Sequence, residues 1–155
     1  MLGRLAQVRD SAGALYEYLA SEVFDRIDAA LQDFLLASAV PRQFTAELCG
    51  ELGTRGAAAE WIEQVEARNL FLIQLEDAGE RWYRYHHLFR EFLLTRLRRQ
   101  PARFTQVQRR AGAIFEARQQ PEEAVEHFLA AGDPEQAACI MQTMARQLFI
   151  SGRRQ

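Results

Sequence analysis

One short stretch of alternating residues interrupts an otherwise helical sequence, and it constrains the fold more than any other feature. Residues 70–85, LFLIQLEDAGERWYRY, contain the one clear β pattern of the chain. Two apolar and aromatic runs, 70–75 and 81–85, flank a turn with one glycine. Apolar residues recur at helical spacing on both sides. We therefore predict a mainly α-helical protein with one small β-hairpin.

Helices are predicted before this hairpin. They cover residues 14–25, a segment that starts after Asp28 and is ended by Pro41, and two shorter segments at 45–52 and 57–68. The three helices nearest the hairpin, followed by the hairpin itself, have the order of a winged-helix domain. The apolar face of the 14–25 helix is formed by Leu15, Leu19 and Val23, with Tyr18 alongside.

The helical pattern returns after the hairpin and continues to the end. Pro101 separates a helix at 88–97 from short helices that have small residues at their contacts, an arrangement typical of antiparallel, TPR-like α-hairpins. We predict a lead-in at 1–12, a winged-helix domain at 13–99 and the start of a helical-repeat region at 100–155. The chain ends at ISGRRQ without a stop signal, so we expect it to be cut from a longer one. The residues expected to face inward in the last two helices are Ala124, Val125, Phe128, Leu129, Ala137, Ala138, Ile140, Met141, Met144 and Leu148.

Composition excludes some classes of protein. The chain has 155 residues and a net charge of −2, which gives no general attraction to nucleic acid or anionic membranes. No apolar run approaches the about 20 residues that span a bilayer, and the N-terminus lacks a signal-peptide core. We expect a cytoplasmic protein without membrane contact. Cys49 and Cys139 are expected to be buried free thiols in a reducing compartment.

Chemistry would concentrate at His86 and His87, because the chain has three histidines in all. No P-loop, GxGxxG, HExxH, GxSxG or CxxC motif is present, so no catalytic residue, cofactor or metal site is predicted and the chain is not expected to be an enzyme. General acid–base catalysis by one histidine stays open. The simplest alternative places one histidine at a helix start, hydrogen-bonded, and the other in solvent. His127 is expected to be a surface or boundary residue.

DNA binding is a second alternative. The helix at 57–68, which would enter the major groove of DNA, carries Glu60, Glu63 and Glu66 against one basic residue, Arg68, and acidic groups repel phosphates. A solvated or partner-docking face is the simpler interpretation of the basic run after the hairpin. That candidate nucleic-acid or docking patch consists of Arg96, Arg98, Arg99, Arg103, Arg109 and Arg110.

Three strings in the sequence resemble a known family. They are YLASEVFDRIDAALQDFLLASAV, WIEQVEARNLFLIQLEDAGERWYRYHHLFREFLLTRLRR and EEAVEHFLAAGDPEQAACIM. They are similar to the middle of MalT-like, LuxR-family ATP-dependent transcriptional regulators, which are STAND-class ATPases. In that family a P-loop ATPase core precedes the winged helix, and helical repeats and a LuxR-type helix-turn-helix follow it. The resemblance covers the chain from about Leu15 onward.

The resemblance implies a role for His86. Related proteins have a hydrophobic-His-acidic motif here, whose histidine contacts the β-phosphate of bound ADP. Tyr85-His86-His87 aligns with that motif, although the third residue is not an acid. ATP or ADP would then be a cofactor of the full-length protein, bound only together with its ATPase domain.

The hypothesis that follows is a regulatory module. It would couple the nucleotide state of an ATPase domain outside this chain to helical sensor repeats, with DNA contacted only through a separate helix-turn-helix domain. The alternative is a stand-alone winged-helix domain that binds DNA or protein. The oligomeric state, the effector and the target promoter stay open.

Overall fold

The structure, a computed structural model, describes residues 2–153, with side chains from Ser11 onward. The chain divides into two compact units between Arg99 and Gln100. The order of elements confirms a mainly α-helical winged-helix arrangement with one hairpin, followed by helical hairpins. The first unit contains α1 (Leu2–Arg26), α2 (Ala29–Ser38), α3 (Ala46–Glu51), α4 (Ala58–Ala67), β1 (Leu72–Asp77), β2 (Glu80–Tyr85) and α5 (His87–Arg98); the second contains α6 (Pro101–Ala117), α7 (Pro121–Ala130) and α8 (Pro134–Gly152).

The hairpin lies where the sequence predicts it. β1 and β2 pair antiparallel from Leu72↔Tyr85 to Asp77↔Glu80. Ala78 and Gly79 turn the chain with φ of 51° and 83°, and two positive φ angles match the twist of the strands in a two-residue hairpin. The outer edge of β2 is also paired, because Phe44 and Tyr83 exchange backbone hydrogen bonds of 2.9 and 2.8 Å. The hairpin is thereby fixed to the segment between α2 and α3.

Aromatic rings fill the core of the first unit. Phe44 and Phe89 are 1% and 0% exposed, and both contact the Tyr85 ring. The Tyr85 hydroxyl and the Ser38 hydroxyl share a buried hydrogen bond of 2.7 Å. Burial raises the pKa of Tyr85 well above its ordinary value. This bond connects the end of α2 to the end of β2.

The first helix is longer than predicted and turns a different face inward. α1 begins at Leu2, so residues 2–12 belong to the same helix as residues 14–25. Among its described side chains Ala20 and Phe24 are buried, and Ile27 is buried just after the helix ends. The predicted apolar face lies on the exposed side, where Leu15, Tyr18, Leu19 and Val23 are 36–62% exposed.

The second unit is a set of helical hairpins with small residues at the contacts. All three helices begin with proline in the first turn, where its missing N–H costs no hydrogen bond. Ala111, Ala124 and Ala137 are fully buried. A Cβ atom on Gly112 would lie 2.9 Å from the Phe128 ring, so only glycine allows this close approach.

Several positions in the second unit differ from expectation. His127, expected at the surface or at the boundary of the core, is 8% exposed: its Nδ1 shares a hydrogen bond of 2.7 Å with Gln108, and its ring stacks on Phe115 at 5.3 Å. The hydrogen bond to Gln108 allows this polar ring to be buried, and the sequence pattern alone did not predict that burial. The inward prediction is also wrong for three large apolar residues, since Leu129, Met141 and Leu148 are 52%, 49% and 70% exposed.

The two cysteines differ in environment. Cys49 is fully buried, and desolvation raises the pKa of its thiol to about 12. Cys139 is exposed on α8, so the prediction of burial is wrong for it. Within residues 2–153, no helix has both the length and the apolar character needed to span a bilayer.

Candidate functional site

His86 lies at the junction of β2 and α5 and caps the helix. Its backbone is extended, with φ of −51° and ψ of 139°, and its Nδ1 accepts the Leu88 N–H at 3.3 Å. Its own N–H donates to the Phe71 carbonyl at 2.9 Å. With Nδ1 as acceptor, the neutral ring carries its hydrogen on Nε2. Nε2 has no hydrogen-bond partner among the described residues, so it is free to donate.

Aromatic side chains fix the orientation of the His86 ring. The Tyr16 ring from α1 stacks at 6.0 Å and 30°, and the His87 ring lies 4.4 Å away. Phe71 packs against Tyr16 at 5.4 Å and has a left-handed φ of 57°, which is strained for an aromatic residue. Strained backbone of this kind is common at functional sites.

The Tyr16 hydroxyl is the unusual group of this cluster. It is shielded from solvent and lacks a hydrogen-bond partner in the described part of the chain. Desolvation raises the pKa of the phenol. A buried hydroxyl without a partner costs free energy, so its position beside His86 suggests that a ligand completes the site.

The arrangement suits one anionic group. The first turn of α5 contains no acidic residue, and the free N–H groups of a helix start favour negative charge. Arg90, the nearest guanidinium along the helix, is occupied: it donates to the carbonyls of Ala39 and Val40 at 3.0 and 2.9 Å. His86 is therefore the side-chain donor that this helix start offers to a phosphate oxygen.

The exposed His87 matches the simpler alternative for the second histidine. It lies one residue inside the helix and offers no carboxylate where the family motif has an acid. No group of three histidine, cysteine, aspartate or glutamate side chains in residues 11–153 could hold a metal ion.

The predicted arginine patch is spread over both units. Arg96 and Arg98 lie in the last turn of α5 and Arg99 follows it, whereas Arg103, Arg109 and Arg110 belong to α6. Arg96 is engaged within its own unit: it donates to Ser21 at 2.7 Å and pairs with Asp25 at 3.4 Å. It also lies over the rings of Phe24 and Phe92. Arg109 lies 3.8 Å from Asp133.

Three important side chains around His86 were not singled out from the sequence. Arg90 gives no signal, because an arginine inside a helix is ordinary until its carbonyl partners are known. Phe71 gives none either, since its backbone strain is not visible in an apolar run. Tyr16 could have been found, because it lies at spacing four from Ala20 and Phe24 on the buried face of α1.

Comparison with known proteins identifies the fold family. Residues 20–104 match the model of the MalT winged helix domain. The chain belongs to this family. It is 35% identical over 147 residues to the HTH-type transcriptional regulator MalT of Klebsiella pneumoniae strain 342. It is also 34% identical over 133 residues to the serine/threonine-protein kinase PknK of Mycobacterium tuberculosis.

The chain corresponds to a small part of these two relatives. The matched segment covers 94% of the chain but 16% of the Klebsiella MalT. For PknK the shares are 85% of the chain and 12% of the relative. The family assignment therefore describes a regulator domain, and the activities of the complete relatives are a separate question.

Proposed function

We propose that this chain is the regulatory module of a MalT-like, LuxR-family, ATP-dependent regulator and that its winged helix senses bound ADP. The geometry of His86 is the observation that supports this most directly. Its ring is oriented by stacking and by one hydrogen bond, and Nε2 is left to donate at a helix start. These are the features required to contact a phosphate oxygen.

The two kinds of relative support a regulatory role. Similar segments occur in a protein named as a transcriptional regulator and in one named as a protein kinase. DNA recognition and phosphate transfer to a protein are different activities. A segment common to both is better suited to control than to either activity, so we propose that the chain itself is not an enzyme.

The residues present fit one contact with a nucleotide diphosphate. ADP would supply the negative charge, and the chain supplies the His86 N–H and the start of α5. Its remaining contacts would come from a P-loop ATPase domain of the same longer protein. The second unit would couple the nucleotide state to TPR-like sensor repeats, and DNA would be contacted through a separate LuxR-type helix-turn-helix in a cytoplasmic protein.

The test replaces the matching segment of the Klebsiella MalT by this chain and measures ADP affinity by calorimetry. His86→Ala in this chimera should weaken ADP binding by about tenfold, the effect of one hydrogen bond to a charged group. His87→Phe is the matched control, because it keeps an aromatic ring beside His86 and removes only the second imidazole. Its dissociation constant should stay within about twofold of the parent.

Two results would contradict the proposal. ADP affinity that is unchanged by His86→Ala would show that the imidazole does not contact the nucleotide. Equal losses from both variants would show that general disturbance of the helix start, and not the Nε2 donor, is responsible. Thermal unfolding of both variants distinguishes these results from misfolding.

A further inference from the structure

An acidic cleft lies between α3, α4 and the hairpin. One of its walls is α4, the helix that a DNA-reading winged helix would place in the major groove. The volume of the cleft is about 360 Å³. Four carboxylates surround it: Glu47 from α3, Glu63 and Glu66 from α4, and Glu80 from β2. None of them is paired with a basic side chain among the described residues. Four unpaired like charges around one cleft repel each other, and a cationic ligand would relieve that repulsion.

The floor of the cleft adds a second, independent feature. Tyr83 lines it and is 6% exposed, with its ring stacked on Phe44. Its hydroxyl keeps contact with solvent and has no hydrogen-bond partner within the described residues, although the rest of the residue is almost entirely buried. Ile62 is the apolar neighbour on the floor. The cleft thus combines an acidic rim with an apolar floor that contains one unused polar group.

We propose that this cleft binds an arginine-bearing peptide segment of a partner protein. The aliphatic stem of an arginine side chain would pack on Ile62 and Tyr83, and its planar guanidinium would reach carboxylates on the rim. Glu63 and Glu66 are one helical turn apart, so both can face the same ligand. The Tyr83 hydroxyl accepts a further hydrogen bond from the peptide. This surface is separate from the His86 site and does not depend on nucleotide binding.

Other cationic or polymeric ligands fit less well. The carboxylates around the cleft do not form a group that could hold a metal ion, as judged over the described residues. DNA is disfavoured because its phosphates would face four negative charges. A peptide with spaced positive charges matches carboxylates that are spread around a cleft.

Calorimetric titration of the chain with a blocked octapeptide of alternating arginine and alanine tests the proposal at low ionic strength. The double variant Glu63→Gln/Glu66→Gln should weaken binding by about fivefold, because two ion pairs are lost without a change of shape. The matched control is Glu122→Gln/Glu123→Gln, a pair of exposed glutamates in the first turn of α7. This control should leave the affinity within about twofold.

Two further variants should change the peptide affinity in opposite directions. Tyr83→Phe should weaken the peptide by about threefold, because one hydrogen bond is lost. Its thermal midpoint should not change, since the hydroxyl has no partner among the described residues. Arg81→Ala removes the one basic side chain that lines the cleft and should strengthen binding by about twofold.

Clear results would overturn the proposal. Absence of peptide binding to the parent chain would do so, as would equal weakening by the α7 control, which would indicate unspecific attraction to acidic surface. A short DNA duplex that displaces the peptide and loses affinity in the Glu63→Gln/Glu66→Gln variant would assign the cleft to nucleic acid instead.

Discussion

The first unit is held together by side chains far apart in the sequence, whereas the second is held by neighbouring helices. In the first, Ser38 bonds Tyr85 across 47 residues, and Arg90 reaches Ala39 across 51. In the second, the buried pair Gln108 and His127 is 19 residues apart. Distant contacts form only when much of the unit is already folded, so the first unit should be the more cooperative of the two. The proposed role of His86 would benefit from that, because a cooperative unit changes state as a whole.

Removal of one core ring from each unit tests this difference most strongly. Phe89→Ala should lower the free energy of unfolding by about 4 kcal/mol, because this fully buried ring contacts Phe71, Tyr85 and Phe92. Phe115→Ala should cost about 3 kcal/mol in the second unit. Urea unfolding monitored by tryptophan fluorescence reports the first unit, since Trp61 and Trp82 both belong to it.

The two variants should shift different unfolding transitions. Phe89→Ala should shift the fluorescence transition, and Phe115→Ala should shift the far-UV circular dichroism transition while the fluorescence transition stays in place. If Phe115→Ala shifted the fluorescence transition as much as Phe89→Ala does, the two units would unfold as one.

Arg90 provides the next largest effect. Arg90→Met should cost about 2 kcal/mol, because the buried carbonyls of Ala39 and Val40 lose a charged donor. Arg90→Lys should recover part of this, since an ammonium group lacks the planar fork that reaches two carbonyls. Arg84→Met is the control, because this arginine of β2 is exposed. Equal destabilisation by Arg84→Met, measured by urea unfolding, would show that the hydrogen bonds from Arg90 to Ala39 and Val40 make no specific contribution to stability.

Alkaline pH should also weaken the first unit selectively. Burial raises the pKa of Cys49 from 9.0 to about 12, so between these values the unfolded state loses a proton that the folded state keeps. Stability is therefore unaffected below about pH 9 and falls as the pH rises above it. From about pH 8 to about pH 10.5 the loss should be about 2 kcal/mol from this thiol.

Tyr85 adds to the same loss at higher pH, because burial raises its pKa in the same direction. The measurement is the urea midpoint of the fluorescence transition as a function of pH. Cys49→Ala should flatten the dependence, and Cys139→Ala should leave it unchanged because that thiol is exposed. A slope that survives in Cys49→Ala without reduction would contradict this assignment.

Two glycine substitutions give the smallest effects, with opposite signs. Gly112→Ala should destabilise the second unit by about 1 kcal/mol, because the new Cβ would meet the Phe128 ring at 2.9 Å and this outweighs the better helix propensity of alanine. Gly13→Ala should stabilise α1 by about 0.5 kcal/mol, since its added Cβ would meet no described atom within 4 Å beyond the adjacent backbone of its own helix. Thermal unfolding by circular dichroism compares them, and stabilisation by both would show that the α6–α7 contact is loose.

Local patterns predicted most of the elements, and distant contacts account for what they missed. The hairpin follows from alternation around Gly79, and the starts of α6 and α7 follow from Pro101 and Pro121. The inward face of α1 did not follow, because both sides of that helix carry apolar residues at spacing four. Only the rings of the partner helix decide that Phe24 packs inward and Leu19 does not.

The candidate site was predictable to a similar extent. His86 at a helix start could be inferred from the aromatic run and the helical stripe that meet there, and the family resemblance suggested its ligand. The tautomer, the Tyr16 stacking and the strain at Phe71 depend on residues brought together from α1, β1 and α5. For His127, one hydrogen bond to Gln108 offsets the cost of burial, and no spacing rule indicates that bond.

The contrast between the two thiols has a kinetic consequence. Cys139 is open to alkylating reagents in the folded protein, whereas Cys49 becomes reachable only when the first unit opens. Alkylation of Cys49 is therefore limited by how often that opening occurs, and Cys139 serves as an internal reference for reagent strength. The ratio of the two alkylation rates would measure the frequency of opening in the unsubstituted chain, and a ligand that closes the His86 site would lower it.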